Sequence, residues 1–135
     1  MQLSDYKISG KLGEKIIDFD NPALITLGHF LNGNVRSEQS LIRYLTNSRK
    51  LRNNWSELDT IVQEQFDGYW DSEVLEAFNV TGQWFTFGGS EDITVYINKA
   101  NQYIYNKFLE TETVVEMHLD EFIDILEQWQ AIKNR

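Results

Sequence analysis

Residues 84–119, WFTFGGSEDITVYINKANQYIYNKFLETETVVEMHL, decide the fold. From Pro22 to Gly82 the apolar residues recur at helical spacing, and beyond it the period drops to two. Trp84 to Phe87 predicts one strand, and Ile93, Val95 and Ile97 alternating with Thr94, Tyr96 and Asn98 predict a second. Asn98 to Asn101 reads as a tight turn into Gln102 to Lys107, where Tyr103 and Tyr105 share a face. Thr111 to Leu119, rich in β-branched residues, supplies a further strand. Such short connections require antiparallel neighbours, because a parallel pair needs a crossover of about a dozen residues or more.

Working outward, a helix is expected from about Asp120. It sets Leu119, Phe122, Ile123, Leu126 and Trp129 on one side and Asp120, Asp124, Glu127 and Gln128 on the other. Towards the N-terminus, Tyr6 to Phe19 alternates around Gly10 and Gly13 and suggests a strand pair. Asn21-Pro22 reads as an N-cap and first helical residue, followed by Leu24, Leu27 and Leu31 on one face and a stop at Asn32-Gly33. Ser37 begins a second helix with Leu41, Ile42, Tyr44 and Leu45 towards the core and Arg43, Arg49 and Lys50 towards its basic end. Trp55, Leu58, Val62, Phe66 and Tyr69 mark a third, with Ser56 as N-cap and Gly68 as its end or bend. Asp71 or Ser72 restarts a helix through Val74, Leu75 and Phe78. The expected fold is a single α+β domain over residues 1–135: N-terminal and central helices packed on an antiparallel β-meander closed by a C-terminal helix.

Composition sets the outer bounds. A chain of 135 residues with 41% apolar and 13% aromatic residues can bury one core without help. With no cysteine, disulfides and thiolate metal sites are excluded. No apolar run reaches the roughly eighteen residues of a membrane span and no signal-peptide core stands at the N-terminus, so a cytoplasmic protein is expected.

Charge is the strongest lead to function. Residues 1–53 carry a net +3 and residues 54–135 a net −12, and no Lys or Arg occurs from 53 to 98. An ordinary solvated helix mixes signs, since opposite charges four residues apart stabilise it. On the third helix Glu57, Glu64 and Asp67 fall opposite the apolar face, with Trp70 and Asp71 just beyond. These five residues form the expected partner-binding surface. Nucleic acid and anionic membrane are poor matches to a pI near 4.6, and a basic protein is the better one. Tyr69, Trp70 and Tyr96 are expected as exposed aromatics beside the acids, whereas Trp55, Phe66, Trp84 and Trp129 fit the core.

Nothing in the chain announces a reaction. There is no Gly-x-Ser-x-Gly and no glycine loop leading to a phosphate-binding Lys, and Gly88-Gly89 precedes a strand instead of a helix. His118 and Glu121 have a metal-ligand spacing, but His118 falls at a strand-to-helix boundary; His29, among Leu27, Phe30 and Leu31, is expected to be a partly buried helix residue. The pairs Asp67/Asp71 and Asp120/Asp124 suit solvated helix faces better than acid-base catalysis. No enzyme activity, cofactor or metal is expected.

The run from Phe85 through Gly88-Gly89 to Asn98, then Gln102 to Tyr105, then His118 to Leu126 resembles the C-terminal half of SUKH-type bacterial immunity proteins. There an aromatic strand and glycine turn lead into a strand ending in Asp or Asn, a Val-Tyr strand and a closing helix. Pro22 to Gly33, with Phe30-Leu31-Asn32-Gly33, is loosely similar to a further segment of that family, and residues 35–80 match none of it. Immunity proteins of contact-dependent inhibition systems share the size and acidity. The resemblance implies inhibition by binding: a cytosolic protein that neutralises a cognate toxin, commonly a cationic nuclease. A non-enzymatic adaptor with the same acidic face is the alternative, and oligomeric state stays open.

Overall fold

The alternating run 93–98 is the second strand of a four-stranded antiparallel sheet in the computed structural model of this chain, which describes residues 6–10, 15–66, 84–89, 93–99, 102–108 and 113–134. In order, the elements are strands β1 (Tyr6–Ser9) and β2 (Ile16–Phe19), and helices α1 (Ile25–Gly33), α2 (Glu38–Asn53) and α3 (Leu58–Gln65). Strands β3 (Trp84–Gly89), β4 (Ile93–Asn98), β5 (Tyr103–Phe108) and β6 (Thr113–His118) follow, and helix α4 (Leu119–Lys133) closes the series. β3 to β6 pair in sequence order, while β1 and β2 form a separate hairpin. The fold is therefore α+β with a meander and a C-terminal helix, as the change of period predicts.

Local chemistry explains the boundaries. The Asn21 side chain accepts from the Ala23 N–H at 3.0 Å, and Pro22 opens a 3-10 turn that runs into α1. Ser37 caps α2 by accepting from the Ser40 N–H at 3.1 Å, with Lys50 and Arg52 in the last turn where the helix dipole favours cations. His118 caps α4: its Nδ1 accepts from the Asp120 N–H at 3.1 Å, which is the boundary role its position suggests. Asn32 at the end of α1 bonds both the N–H and the C=O of Ile17 at 2.9 Å. Its amide mimics a neighbouring strand and ties the hairpin to the helix.

Helices α1 and α4 lie against β5 and β6, and α2 packs on α4. Phe30, Phe122, Leu126 and Trp129 are fully buried between them, each such side chain stabilising the fold by roughly 1.5–3 kcal/mol. Ile125 and Ile132 widen the buried face of α4 beyond the five residues expected. The same helix is tied to distant chain by polar bonds. Trp129 Nε1 donates to the Val35 carbonyl at 3.2 Å, the buried Lys133 ammonium donates to the Arg36 carbonyl, and Lys15 Nζ donates to the Ile132 carbonyl at 3.1 Å. Desolvation lowers the Lys133 pKa from its ordinary value.

Five expectations are corrected. Ile42 is 48% exposed, because the buried stripe of α2 runs through Leu41, Leu45, Ser48 and Leu51 and leaves residue 42 a quarter-turn away. Ser56 does not cap α3: it lies inside a 3-10 turn, Trp55–Glu57, that leads into the helix without a side-chain cap. α3 ends before Gly68, since Phe66 is already extended with φ −125° and ψ 178°. His29 is exposed, pointing away from the face that buries Leu27, Phe30 and Leu31.

Tyr96 is the fifth. It is 0% exposed, because it pairs directly with Tyr105 across β4 and β5, and their rings stack with centroids 5.5 Å apart. Trp84 meets both edge-on, at 5.1 and 4.6 Å. Trp84 is thus buried as expected but belongs to a second aromatic cluster, separate from the main core. Trp129 is in that core, and Trp55 and Phe66 pack against it partly buried.

Candidate functional site

A cleft among the described residues is built around an irregularity in β3. Thr86 pairs with Tyr96 and Gly88 with Val95, so Phe87 is an extra residue with no partner of its own, a β-bulge. The bulge shifts the strand's parity. Phe87 is buried, and Gly88 is registered opposite Val95, whose side chain is in the main core.

Tyr44, from α2, occupies the space that Gly88 leaves. A Cβ on residue 88 would overlap the Tyr44 hydroxyl and stand 2.9 Å from its Cζ. Gly89 is constrained separately: its φ is +151°, and a Cβ there would lie 2.5 Å from the Ile93 carbonyl oxygen. The Tyr44 ring meets Phe30 edge-on at 5.3 Å and Phe87 at 5.7 Å. Its hydroxyl accepts from the Gly89 N–H and bonds the Asn34 side chain. Burial nevertheless raises its pKa, so the phenol stays protonated at neutral pH.

Above this ring opens a cleft of about 300 Å³ between α2, the end of α3 and β3. Its apolar wall is Phe66 and Phe87, tilted against each other at 5.3 Å, with Tyr44 alongside. Its polar groups are Arg43 and Asn47 from α2, Gln65 from α3 and Thr86 from β3. Arg43 is the one charged side chain among the described lining residues, and its charge acts on the Tyr44 hydroxyl. A volume near 300 Å³ sits at the small end of ligand-binding clefts. A smaller hollow of about 100 Å³ lies beside Asp18, Gly28, His29 and Asn32.

Of the five expected partner-binding residues, Glu57 and Glu64 are both exposed at the two ends of α3, the first immediately before the helix and the second in its last turn. Asp67, Trp70 and Asp71 lie outside the described residues, as do Tyr69 and the expected helix through Val74, Leu75 and Phe78. Asp59, between the two glutamates, is bound by Lys99 at 2.8 Å, so the first cation after the stretch without Lys or Arg folds back onto the acidic helix. On α2 the Arg49 guanidinium pairs with Glu127 at 3.0 Å. Gln65 and Phe66 of the cleft directly follow Glu64, which places the cleft beside the acidic face.

The cleft has no linear motif, because its walls come from three segments far apart in sequence. Gly88-Gly89 at the end of an aromatic strand, with a Tyr on a preceding helix, is the trace it leaves. Asp124 accepts from Gln128 Nε2 at 2.9 Å, and Asp120 is exposed beside its capping histidine. Among the described residues no three His, Asp or Glu side chains gather as a metal site would need, and no helix is long and apolar enough to cross a membrane.

No family model, curated protein or solved structure matches this chain.

Proposed function

We propose that this protein is an immunity protein that binds and neutralises a cognate basic toxin, a nuclease by preference, in the cytoplasm of the cell that makes both. The observation that carries it is the exposure of Glu57 and Glu64 at the two ends of a helix within a 46-residue stretch, 53–98, that has no Lys or Arg. Single-sign surfaces steer oppositely charged partners and raise association rates, and they can stand in for substrate phosphates. Asp67, Trp70 and Asp71 extend the proposed contact surface along the chain. The resemblance of residues 85–126 to SUKH-type immunity proteins supports the same class. Inhibition on this reading needs surface complementarity and no turnover.

The test begins with the adjacent reading frame and a lysate. A large secreted toxin encoded immediately upstream, whose C-terminal domain co-purifies with this chain, is the expected result. Rescue of cells expressing that domain completes it. Failure of the chain to bind or rescue, or recovery of a basic protein unrelated to any toxin, moves the assignment to a cytosolic adaptor using the same face.

A further inference from the structure

We infer that the cleft between α2, α3 and β3 is a binding site for a small aromatic carboxylate. The cleft offers two different surfaces to a ligand. One is apolar and aromatic, made by Phe66 and Phe87, whose ring centroids are 5.3 Å apart. The other carries Arg43, whose charge reaches the Tyr44 hydroxyl, with Asn47 and Gln65 beside it. A planar apolar group fits the first, where aromatic contacts add to area burial. An anionic oxygen pair fits the second, because guanidinium binds a carboxylate through two parallel hydrogen bonds and the amides supply further donors.

The charge of the cleft selects the sign of the ligand. Arg43 is the charged side chain among the described lining residues, and its positive charge favours an anion although the chain as a whole is strongly acidic. The site is also held in shape before any ligand arrives. The bulge at Phe87, the missing side chain of Gly88 and the bonded Tyr44 hydroxyl fix its floor, and preformed sites lose less entropy on binding. A cleft of about 300 Å³ admits a single ring with a short acid arm. The cleft adjoins the proposed toxin contact, because its Gln65 and Phe66 directly follow Glu64.

The experiment is titration of the whole chain, followed by protein NMR, with phenylacetate and with phenylacetamide as its neutral match. Phenylacetate should bind with a dissociation constant on the order of millimolar, as ligands of that size do. Shifts should map to residues 43–47, 65–66 and 86–89. The amide should bind about tenfold more weakly, the difference expected for one charge-assisted contact. Arg43 and Gln65 are exposed, so variants there leave the core intact. Arg43→Gln should erase the preference for the acid, and Gln65→Glu should weaken phenylacetate while sparing phenylacetamide. Equal binding of acid and amide, an acid preference that survives Arg43→Gln, or shifts confined elsewhere would overturn the assignment. Each result leaves the toxin-binding test untouched.

Discussion

The Tyr44 hydroxyl lies where a side chain on Gly88 would begin, so a helix residue and a strand residue share one volume. The pair couples α2 to the bulge in β3 and makes the cleft floor out of a glycine and a ring. Gly88→Ala should therefore destabilise the fold by about 1–3 kcal/mol, the usual cost of overpacking. In a Tyr44→Ala background the same change should cost much less, which a double-mutant cycle by urea denaturation reads directly. Gly89→Ala should behave differently. Its obstacle is backbone, the Ile93 carbonyl, and its φ of +151° is unsuited to alanine, so removing Tyr44 should bring no relief.

Reversal of charge at both Glu57 and Glu64 to Lys should leave stability within about 0.5 kcal/mol, as exposed substitutions do. Association with the basic protein recovered from the lysate should slow by about tenfold at low salt, and its salt dependence should flatten. Stopped-flow mixing across ionic strengths checks both. An unaltered rate would place the contact elsewhere on the chain.

Alkaline pH should unfold the protein through its second aromatic cluster. Burial pushes the Tyr96 and Tyr105 hydroxyls up to about 12, and neighbouring Tyr105 and Glu116 respectively add to the effect. In the unfolded chain both titrate near 10. The folded state therefore holds more protons than the unfolded one between about 10 and 12, and stability must fall as pH rises through that window. Below about 10 the contribution is fully present. Denaturation midpoints at successive pH values should decline there, and Tyr96→Phe should flatten the decline. Ultraviolet titration should show late-ionising tyrosines that become ordinary in denaturant.

Replacement of Trp129 by Phe keeps most of the buried ring but leaves the Val35 carbonyl without its indole N–H. A loss of about 1–2 kcal/mol is expected, the sum of a missing hydrogen bond and a small void. Lys133→Met should cost less than that. It removes an ammonium whose burial lowers its pKa, and the thioether fills the same space. Chemical denaturation of the two variants side by side gives the comparison.

The meander, the first two helices and the closing helix are legible in the chain because each rests on local spacing: Ile93, Val95 and Ile97, or Leu119, Phe122 and Trp129. What period two cannot say is which face of a sheet is covered. Tyr96 alternates away from the main core yet is buried, because its cross-strand partner is another aromatic. Ile42 shows the converse on a helix, where spacing admits residue 42 to the apolar arc but packing uses only the stripe through Leu41 and Leu45. The end of α3 at Gln65 was hidden because Phe66 continues the apolar spacing after the backbone has turned extended. The exposure of Glu57 and Glu64 follows from their charge and their place opposite Leu58 and Val62. The cleft was not legible in the chain, since Arg43, Gln65 and Gly88 meet only after three segments have folded together.

The bonds from α4 to Lys15, Val35 and Arg36 span sequence separations of 117, 94 and 97 residues. Their consequence lies in time. Loops of that length are slow to close, and their entropy must be lost before the contacts are gained. The β1–β2 hairpin, tied to α1 by Asn32, and the meander can form from neighbouring residues, whereas the contacts of α4 with Lys15, Val35 and Arg36 cannot. Once docked, α4 cannot leave alone without exposing Phe122, Leu126 and Trp129 together. Its amides should therefore exchange with solvent only when the whole molecule opens, and their exchange rate becomes a clock for global unfolding.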